Sequence, residues 1–448
     1  MKNKIGFWTF IIALGGFLFG FDTAVISGGE KDIQHLWNLS SYEHGLTMSI
    51  ALIGTVLGAL IGGIPSDRLG RKNTLYLVAG LYLVSSLATA LAQSWVPFMV
   101  FRFLGGLGVG ISSVVGPIYI SELAPPQKRG KLVGMFQFNI VLGIVSAYLS
   151  NYLLAGIGEE AWRWMLGVMA IPSVLFLALI KFLPESPRWL WLKTGDEHKA
   201  KDILKAVSPD TYETDFQSIK AASAGKETAS TSVPLFQKKY ARPIILAVLF
   251  AMFNQLAGIN AIIYYAPRVF ELAGLGAESS LLSTIGIGTV NFIFTLLAIN
   301  VIDKYGRRTL MTIGSVGLIV CLLLVAFSFF ALDSGEGGLL ANGGAIVFFL
   351  MLFIAFFAFS QGAVIWVFIS EIFPNEVRAK GQTLGSLTHW VLAAIITFVF
   401  PVLTEQIGGG YTFMIFAGFM VLQLIYVLRM MPETKGKSLE AMDTVNLH

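Results

Sequence analysis

The sequence predicts an all-α membrane protein. Twelve transmembrane helices form two six-helix halves, residues 1–187 and 242–448, joined by a cytoplasmic helical linker over 188–241. Three observations carry this. Hydrophobic residues make up 55% of the 448 and charged residues only 13%, about half the charge of an ordinary soluble protein; the mean hydropathy is +0.73. Apolar runs of about 20 residues, the length that crosses a hydrocarbon core, recur along the whole chain. Short charged motifs then appear twice, in the same order, in the two halves.

The first span, 7–28, follows Met1-Lys2-Asn3-Lys4 in the manner of a secretory leader. It has no convincing small-x-small site before the next polar stretch, and Asp22 interrupts it, so it reads as a retained helix. Spans over 46–66, 74–93, 97–120, 133–155 and 163–183 complete the first half. Those over 243–270, 280–302, 309–331, 344–370, 383–404 and 410–430 make the second. Gly54, Gly58 and Gly62 recur every four residues in the second span and allow close helix approach. The run Gly105 to Gly110 lies mid-span with no strand before it, so it is not a nucleotide loop. Between the halves, Lys193 to Val207 reads as a helix with Ala200, Ile203, Leu204 and Val207 on one face, ended by Ser208-Pro209-Asp210. The stretch beyond, through Ala-Ser-Ala-Gly and Thr-Ala-Ser-Thr-Ser, has a flexible-linker composition. The whole interval is too short and too polar for a catalytic domain.

Charge sets the topology. One set of loops carries Arg68, Arg71 and Lys72; Lys128, Arg129 and Lys131; Lys304, Arg307 and Arg308; and Arg378 and Lys380. The alternate loops carry Glu159, Glu160, Glu271, Glu278, Asp333, Glu336 and Glu405, with few bases. The positive-inside rule places the first set, and both termini, in the cytoplasm, for a multi-pass protein of the cytoplasmic (inner) cell membrane. The lipid bilayer is then the expected surroundings. The net charge of +4 does not indicate nucleic acid, because the bases lie in short loops. Cys321 is the only cysteine and lies in an apolar run, so no disulfide framework exists within the chain. None of the five histidines falls in a ligand spacing; no metal, no cofactor and no enzymatic reaction are expected.

Two charges stand deep inside apolar spans: Asp22 in the first and Arg102 in the fourth. A carboxylate there costs roughly 2.5–3.5 kcal/mol on insertion scales unless it faces protein or water. Unpaired, Arg102 is as costly; paired, each stabilises the other. An intramembrane acid points to proton coupling, with a purely structural pairing as the alternative.

The repeats lie at helix ends. Asp67-Arg68-Leu69-Gly70-Arg71-Lys72 answers to Asp303-Lys304-Tyr305-Gly306-Arg307-Arg308, Ile120-Ser121-Glu122-Leu123-Ala124-Pro125 to Ile369-Ser370-Glu371-Ile372-Phe373-Pro374, and Pro184-Glu185-Ser186-Pro187 to Pro432-Glu433-Thr434-Lys435. The offsets are 236 (67 to 303), 249 (122 to 371) and 248 (185 to 433). Such order indicates duplication. Two similar halves around a midplane site are the architecture of a rocking transporter.

On the duplicated Asp-Arg-x-Gly-Arg-Lys type loops, Pro184-Glu185-Ser186-Pro187-Arg188-Trp189 and Pro432-Glu433-Thr434-Lys435-Gly436, the chain resembles the sugar porter branch of the major facilitator superfamily over nearly its whole length. The resemblance implies twelve helices, both termini inside, a helical intracellular segment after the sixth span, and alternating access. It also implies a cytoplasmic ion-pair gate of Asp67, Arg71, Glu122, Arg129, Glu185 and Arg188 with Asp303, Arg307, Glu371, Arg378 and Glu433. Exposed pairs are each worth about 0–1 kcal/mol. A network with open and closed arrangements biases an equilibrium without locking it; charges that only fix topology are the alternative.

A sugar site needs amides, which both donate and accept, and aromatic rings for the apolar face of the sugar. The seventh span supplies Asn254-Gln255-Leu256-Ala257-Gly258-Ile259-Asn260, followed by Tyr264-Tyr265. On one continuous helix Gln255 and Ile259 share a face, with Asn260 beside it. This is similar to the family's Gln-Gln-x-x-Gly-Ile-Asn motif, with Asn254 in place of the first Gln. Gln137 and Asn291 match the family's sugar-binding amides, Trp366 and Trp390 its sugar-facing tryptophans, and Phe19 an aromatic of the pocket. Taken singly, each residue reads as well as interhelical packing.

Two positions depart from the family. The tenth span reads Gly362-Ala363-Val364-Ile365-Trp366, without the usual proline, which leaves any hinge to Gly362. His389 precedes Trp390 where Asn or Gln is common; it can contact the sugar, or titrate near neutral pH. By resemblance, coupled members carry the Asp and Arg found here at 22 and 102, whereas passive ones typically have Asn at the Asp position. Burial disfavours the charge on Asp22, Arg102 favours it, and a conformational change alters the balance. One proton moving down 100 mV supplies about 2.3 kcal/mol, enough for roughly fifty-fold accumulation of a neutral sugar. The expected activity is therefore proton-coupled monosaccharide symport by a monomer, with a hexose, glucose first, as substrate. An uncoupled uniporter, a non-transporting sensor and a drug exporter of the same fold are the alternatives. A sensor usually adds a long cytoplasmic tail, and only Pro432 to His448 follows the last expected span.

Overall fold

A computed structural model describes residues 3–125, 128–228, 234–335, 338, 340–374 and 376–435. Among them regular structure is helical throughout, with no strand. Eleven helical stretches are long and apolar enough to cross a membrane, in sequence Lys4–Gly28, Ser41–Ile61, Arg71–Ala90, Trp95–Leu123, Arg129–Ile157, Ala161–Phe182, Lys238–Leu272, Ala277–Ala298, Arg307–Ser334, Gly343–Ile372 and Arg378–Arg429. The last runs for 52 residues, which at 1.5 Å per residue is about 78 Å, more than twice a hydrocarbon core. It breaks at Gly408, whose φ of 79° and ψ of 166° are not helical. Two spans therefore lie in this stretch, the eleventh and the twelfth.

The chain folds as two compact units. One consists of the described residues of Met1–Asp22, Gly54–Ile144 and Leu166–Ser232; the other of those of Thr23–Ile53, Val145–Met165 and Val233–His448. The first span thus passes from one unit to the other between Asp22 and Thr23. In the first unit the glycine stripe acts as its spacing predicts. A Cβ on Gly54 would lie 2.2 Å from the Phe103 carbonyl oxygen, and one on Gly58 would lie 2.3 Å from that of Leu107. Backbone meets backbone between the second and fourth spans, a contact no other residue allows.

Two expectations for the linker are corrected. Lys193 to Val207 is not one helix. Leu190–Thr194 forms a π turn, the chain bends at Gly195, and Glu197–Val207 starts afresh with Asp196 accepting from the Lys199 N–H at 3.0 Å. The polar stretch expected to be flexible is helical over Tyr212–Thr228. Its Phe216 packs with Ala200, Leu204 and Leu190 in a small core of its own, edge-on to Trp191 at 5.3 Å. That apolar anchor orders a segment whose overall composition is polar; the Thr-Ala-Ser-Thr-Ser run lies almost wholly outside the described residues.

Candidate functional site

In the first unit Arg102 reaches Asp22. Its Nη1 donates to Asp22 Oδ1 at 2.8 Å and its Nη2 to the Asp22 carbonyl at 3.4 Å. Both residues are at most 3% exposed. Small residues make the room: a Cβ on Gly105 would lie 2.4 Å from Ser85 Oγ and 3.6 Å from Asp22 Oδ1. The pair is sparsely supported, since Arg102 Nε has no hydrogen-bond partner among the described residues. Phe19 is buried and Gln137 half-buried in the same unit.

In the second unit the seventh span does not continue through the motif, contrary to the expectation of a single helix. Ala241–Leu256 ends, Gly258 takes a left-handed φ of 85°, and Ile259–Leu272 resumes. Only glycine fits there, because a Cβ would also lie 2.6 Å from the Phe416 ring. The break still brings the amides together. Asn260 Nδ2 donates to Gln255 Oε1 at 2.6 Å, and Gln255 Nε2 donates to Asn254 Oδ1 at 3.0 Å. Gln255 Nε2 also lies 3.1 Å from His389 Nδ1, so His389 joins the amides as an acceptor. The His389 ring meets Trp366 at 5.0 Å and Trp390 edge-on at 4.8 Å. Trp390 is buried, whereas Trp366 is 37% exposed and offers a ring face. Six of the expected substrate residues thus form one cluster of amides, imidazole and indoles. Asn291, half-buried on the eighth span, accepts from Thr295 at 3.5 Å instead.

The repeated motifs build two similar clusters, one in each unit. Arg71 makes a fork to Glu122 (Nε to Oε2 2.8 Å, Nη2 to Oε1 3.0 Å) and also donates to Asp67 and to the Ser66 carbonyl. Arg307 makes the same fork to Glu371 (Nε to Oε2 3.2 Å, Nη2 to Oε1 2.9 Å) and donates to the Ile302 carbonyl. Glu185 and Glu433 act as helix caps. Glu185 accepts from the Arg71 and Lys72 N–H groups, and Glu433 from those of Arg307 and Arg308. Gly70 and Gly306, at φ 91° and 86°, leave these N–H groups open to the carboxylates. Arg129 donates to the Ser121 carbonyl and Arg378 to that of Phe373, both at 3.1 Å. Arg188 is half-buried beside Trp189, whose Nε1 donates to the Asp67 carbonyl. Asp303 lies in the last turn of Ala277–Tyr305; its side chain is outside the described residues.

The sequence reading missed a third cluster, in the second unit. Glu30 and His44 are at most 1% exposed. Arg268 Nε donates to Glu30 Oε1 at 2.8 Å; its Nη2 donates to Gln34 and lies 2.8 Å from Glu30 Oε2, and His44 Nε2 lies 2.7 Å from the same oxygen. Tyr265 lies against the His44 ring, and Lys31 pairs with Glu271 beside them. Burial pushes the Glu30 carboxyl up, but the His44 hydrogen bond and the Arg268 charge outweigh it and hold it below the usual range. The signal was present: Arg268 is a lone charge within the apolar run 243–270, by the same criterion that singles out Arg102.

Comparison with known proteins identifies the family. The family described as "Sugar (and other) transporter" matches residues 8–445. The chain is 37% identical to the glucose transporter GlcP of Staphylococcus epidermidis (96% of this chain, 95% of that one). It is 36% identical to the arabinose-proton symporter of Bacillus subtilis (96% and 92%). Among solved structures, the inward open conformation of the xylose transporter XylE from E. coli superposes with a TM-score of 0.85 at 32% identity, covering 98% of this chain and 99% of that one.

Proposed function

Since the chain belongs to the sugar transporter family of the major facilitator superfamily, we propose that it carries a monosaccharide into the cell together with a proton. The observation that carries the coupling is the buried Asp22–Arg102 pair, held by one strong charged hydrogen bond. It lies where the first span passes between the compact units. A proton on Asp22 removes the attraction that holds Arg102, so protonation and rearrangement of the first span are linked. The relatives named for proton symport and for glucose support this reading.

The sugar is held by Asn254, Gln255, Asn260 and Asn291 with Gln137, and covered by Trp366, Trp390 and Phe19. His389 enters as an acceptor poised by Gln255. A hexose, glucose first, suits an amide set with its own internal hydrogen bonds, which a ligand's hydroxyls replace one for one. The halves 1–187 and 242–448 alternate around this site in the cytoplasmic membrane, with both termini inside and one chain per pathway.

Alternating access also explains the grouping of residues. Thr23–Ile53 and Val145–Met165, the ends of four first-half spans that the charge pattern puts outside, pack with the second half in one unit. The Glu30–His44–Arg268 cluster ties the ends of the first and second spans to the seventh, as an outer seal does when the site faces inward. Opening to the outside must pull it apart.

The test is uptake into proteoliposomes under an imposed inward proton gradient, with Asp22→Asn as the variant. Accumulation of glucose that vanishes in Asp22→Asn, while sugar counterflow survives, is the expected result. Equal, merely equilibrating uptake in both proteins makes this a facilitator and returns Asp22 to a structural role.

A further inference from the structure

The tenth span lacks a proline before Trp366, yet it does not run as a regular helix. Ala358–Gly362 forms a π turn between Gly343–Phe357 and Ala363–Ile372. Such a turn inserts an extra residue, frees main-chain groups from the regular ladder, and is found most often at functional sites. Polar side chains hold it in place. Gln361 is wholly buried; its Nε2 donates to Gln423 Oε1 at 2.7 Å and rests 3.3 Å from Met420 Sδ. Gln423 Nε2 donates in turn to Ser315 Oγ at 2.8 Å, and Ser315 to the Met311 carbonyl at 2.7 Å. The ninth, tenth and twelfth spans are thus joined by neutral amides and a hydroxyl in a dry interior, where a hydrogen bond is strong and a missing partner is costly.

The same residue faces the substrate cluster with its backbone. The Gln361 carbonyl accepts from Asn254 Nδ2 at 3.4 Å, and Asn254 passes the chain on to Gln255, Asn260 and His389. Asn254 is the residue that stands where the family motif has glutamine. Its shorter side chain turns to this carbonyl of the π turn. Gln361 Oε1, although buried, has no hydrogen-bond partner among the described residues, so the network is not saturated.

We infer that Gln361 is a positioning residue for the sugar site. Its side chain pins the π turn to the twelfth span, and the pinned turn sets where its carbonyl meets Asn254 and how Trp366 faces His389. It takes the place of the missing proline by fixing the turn with hydrogen bonds instead of a ring. The inference rests on the monosaccharide reading above.

Gln361→Met keeps the length of the side chain and removes both donor and acceptor. In glucose counterflow the half-saturation concentration is expected to rise about five- to ten-fold, with the maximal rate changed less than about two-fold. Gln423→Met should do the same, and the double variant no more than the larger single one, because both cut one link. A second readout needs no sugar: iodide quenching of Trp366, one of nine tryptophans, taken as the difference that Trp366→Phe makes in each background. It should change in both methionine variants. Unchanged half-saturation and unchanged Trp366 quenching, whatever the melting temperature, overturn the inference. Should Gln361→Met fail to fold, Gln423→Met carries the same test. A native protein that binds none of glucose, xylose or arabinose defeats the transport reading, while the quenching still decides the positioning.

Discussion

Two carboxylate–arginine pairs at the apolar spans, Asp22–Arg102 and Glu30–Arg268, are built in opposite ways. Asp22 receives one charged hydrogen bond at 2.8 Å and one weak contact to its carbonyl, and Arg102 keeps a nitrogen without a hydrogen-bond partner among the described residues. Glu30 Oε1 accepts from Arg268 Nε, its Oε2 lies 2.8 Å from Arg268 Nη2 and 2.7 Å from His44 Nε2, and Gln34 accepts from the same guanidinium. Desolvating either pair is expensive, and removing one partner leaves an uncompensated charge at about 3–5 kcal/mol. A thinly held carboxylate lets a proton replace its arginine. One faced by a guanidinium along both oxygens and by an imidazole resists the proton and yields only when the helices that carry it separate. The first suits coupling, the second a latch.

The largest effect that separates them is on driven accumulation. Asp22→Asn should abolish the up to roughly fifty-fold gradient that 100 mV can support, leaving counterflow intact. Glu30→Gln should leave coupling in place and shift the conformational balance outward instead. That shift is read with Thr47→Cys, on the second span, fully buried and three residues after His44. Labelling by an impermeant maleimide should be at least about ten-fold faster in the Glu30→Gln background, since it strands Arg268 and His44. Glu30→Gln with Arg268→Gln should label more slowly than Glu30→Gln alone, because no charge is left unpaired. If the three backgrounds label alike, the cluster is packing and the comparison fails.

Acid provides a smaller test of the same contrast. The Glu30 carboxyl is held below its ordinary value, so its contribution to the closed arrangement is complete above about 4.3, the free value, and is lost only as pH falls through the lower one. With His44 in place, labelling of Thr47→Cys should therefore not rise between external pH 8 and 5.5. A steep rise across that window would mean that Glu30 is not the group holding the latch.

What was legible follows the same physics. Lone charges in apolar runs are legible, and Asp22 and Arg102 were read from that alone. Arg268 satisfied the same criterion but sits near the polar end of its run, where snorkelling to water is the cheaper account. The seventh-span amides were legible by resemblance. The break that gathers them was not, because glycine is common in membrane helices and the demand for it comes from the Phe416 ring, far along the chain. The π turn over Ala358–Gly362 left no mark in the sequence; its holders, Gln423 and Ser315, lie on other spans. In the linker, Tyr212, Phe216 and Ile219 repeat at helical spacing within a polar stretch, a pattern that composition alone averages away.

The twin caps give the smallest and most selective prediction. Burial pushes the Glu185 carboxyl above the usual range, outweighing the Ser186, Lys72 and Arg71 N–H groups and the Arg71 charge. At Glu433 burial acts in the same sense, but the N–H groups of Lys435, Arg307, Arg308 and Thr434 prevail and hold the carboxyl below it. The copies differ because the chain differs after the glutamate. Ser186 turns its hydroxyl to cap a new helix at the Trp189 N–H, whereas Thr434 donates its own to Glu371 and the chain coils back on Glu433. A raised group stabilises the fold below its free value and loses that as pH rises; a lowered one stabilises it above and loses that in acid. At pH 7.5 the charge on Glu433 is therefore favourable and that on Glu185 is not. Glutamine keeps an acceptor and drops the charge, so Glu433→Gln should lower the melting temperature of the purified protein, by roughly 1 kcal/mol of stability. Glu185→Gln should leave it nearly unchanged, and the gap should narrow as pH falls towards 4. Equal losses at pH 7.5 would show that the two caps are the same device and that the differing residues at 186 and 434 are incidental.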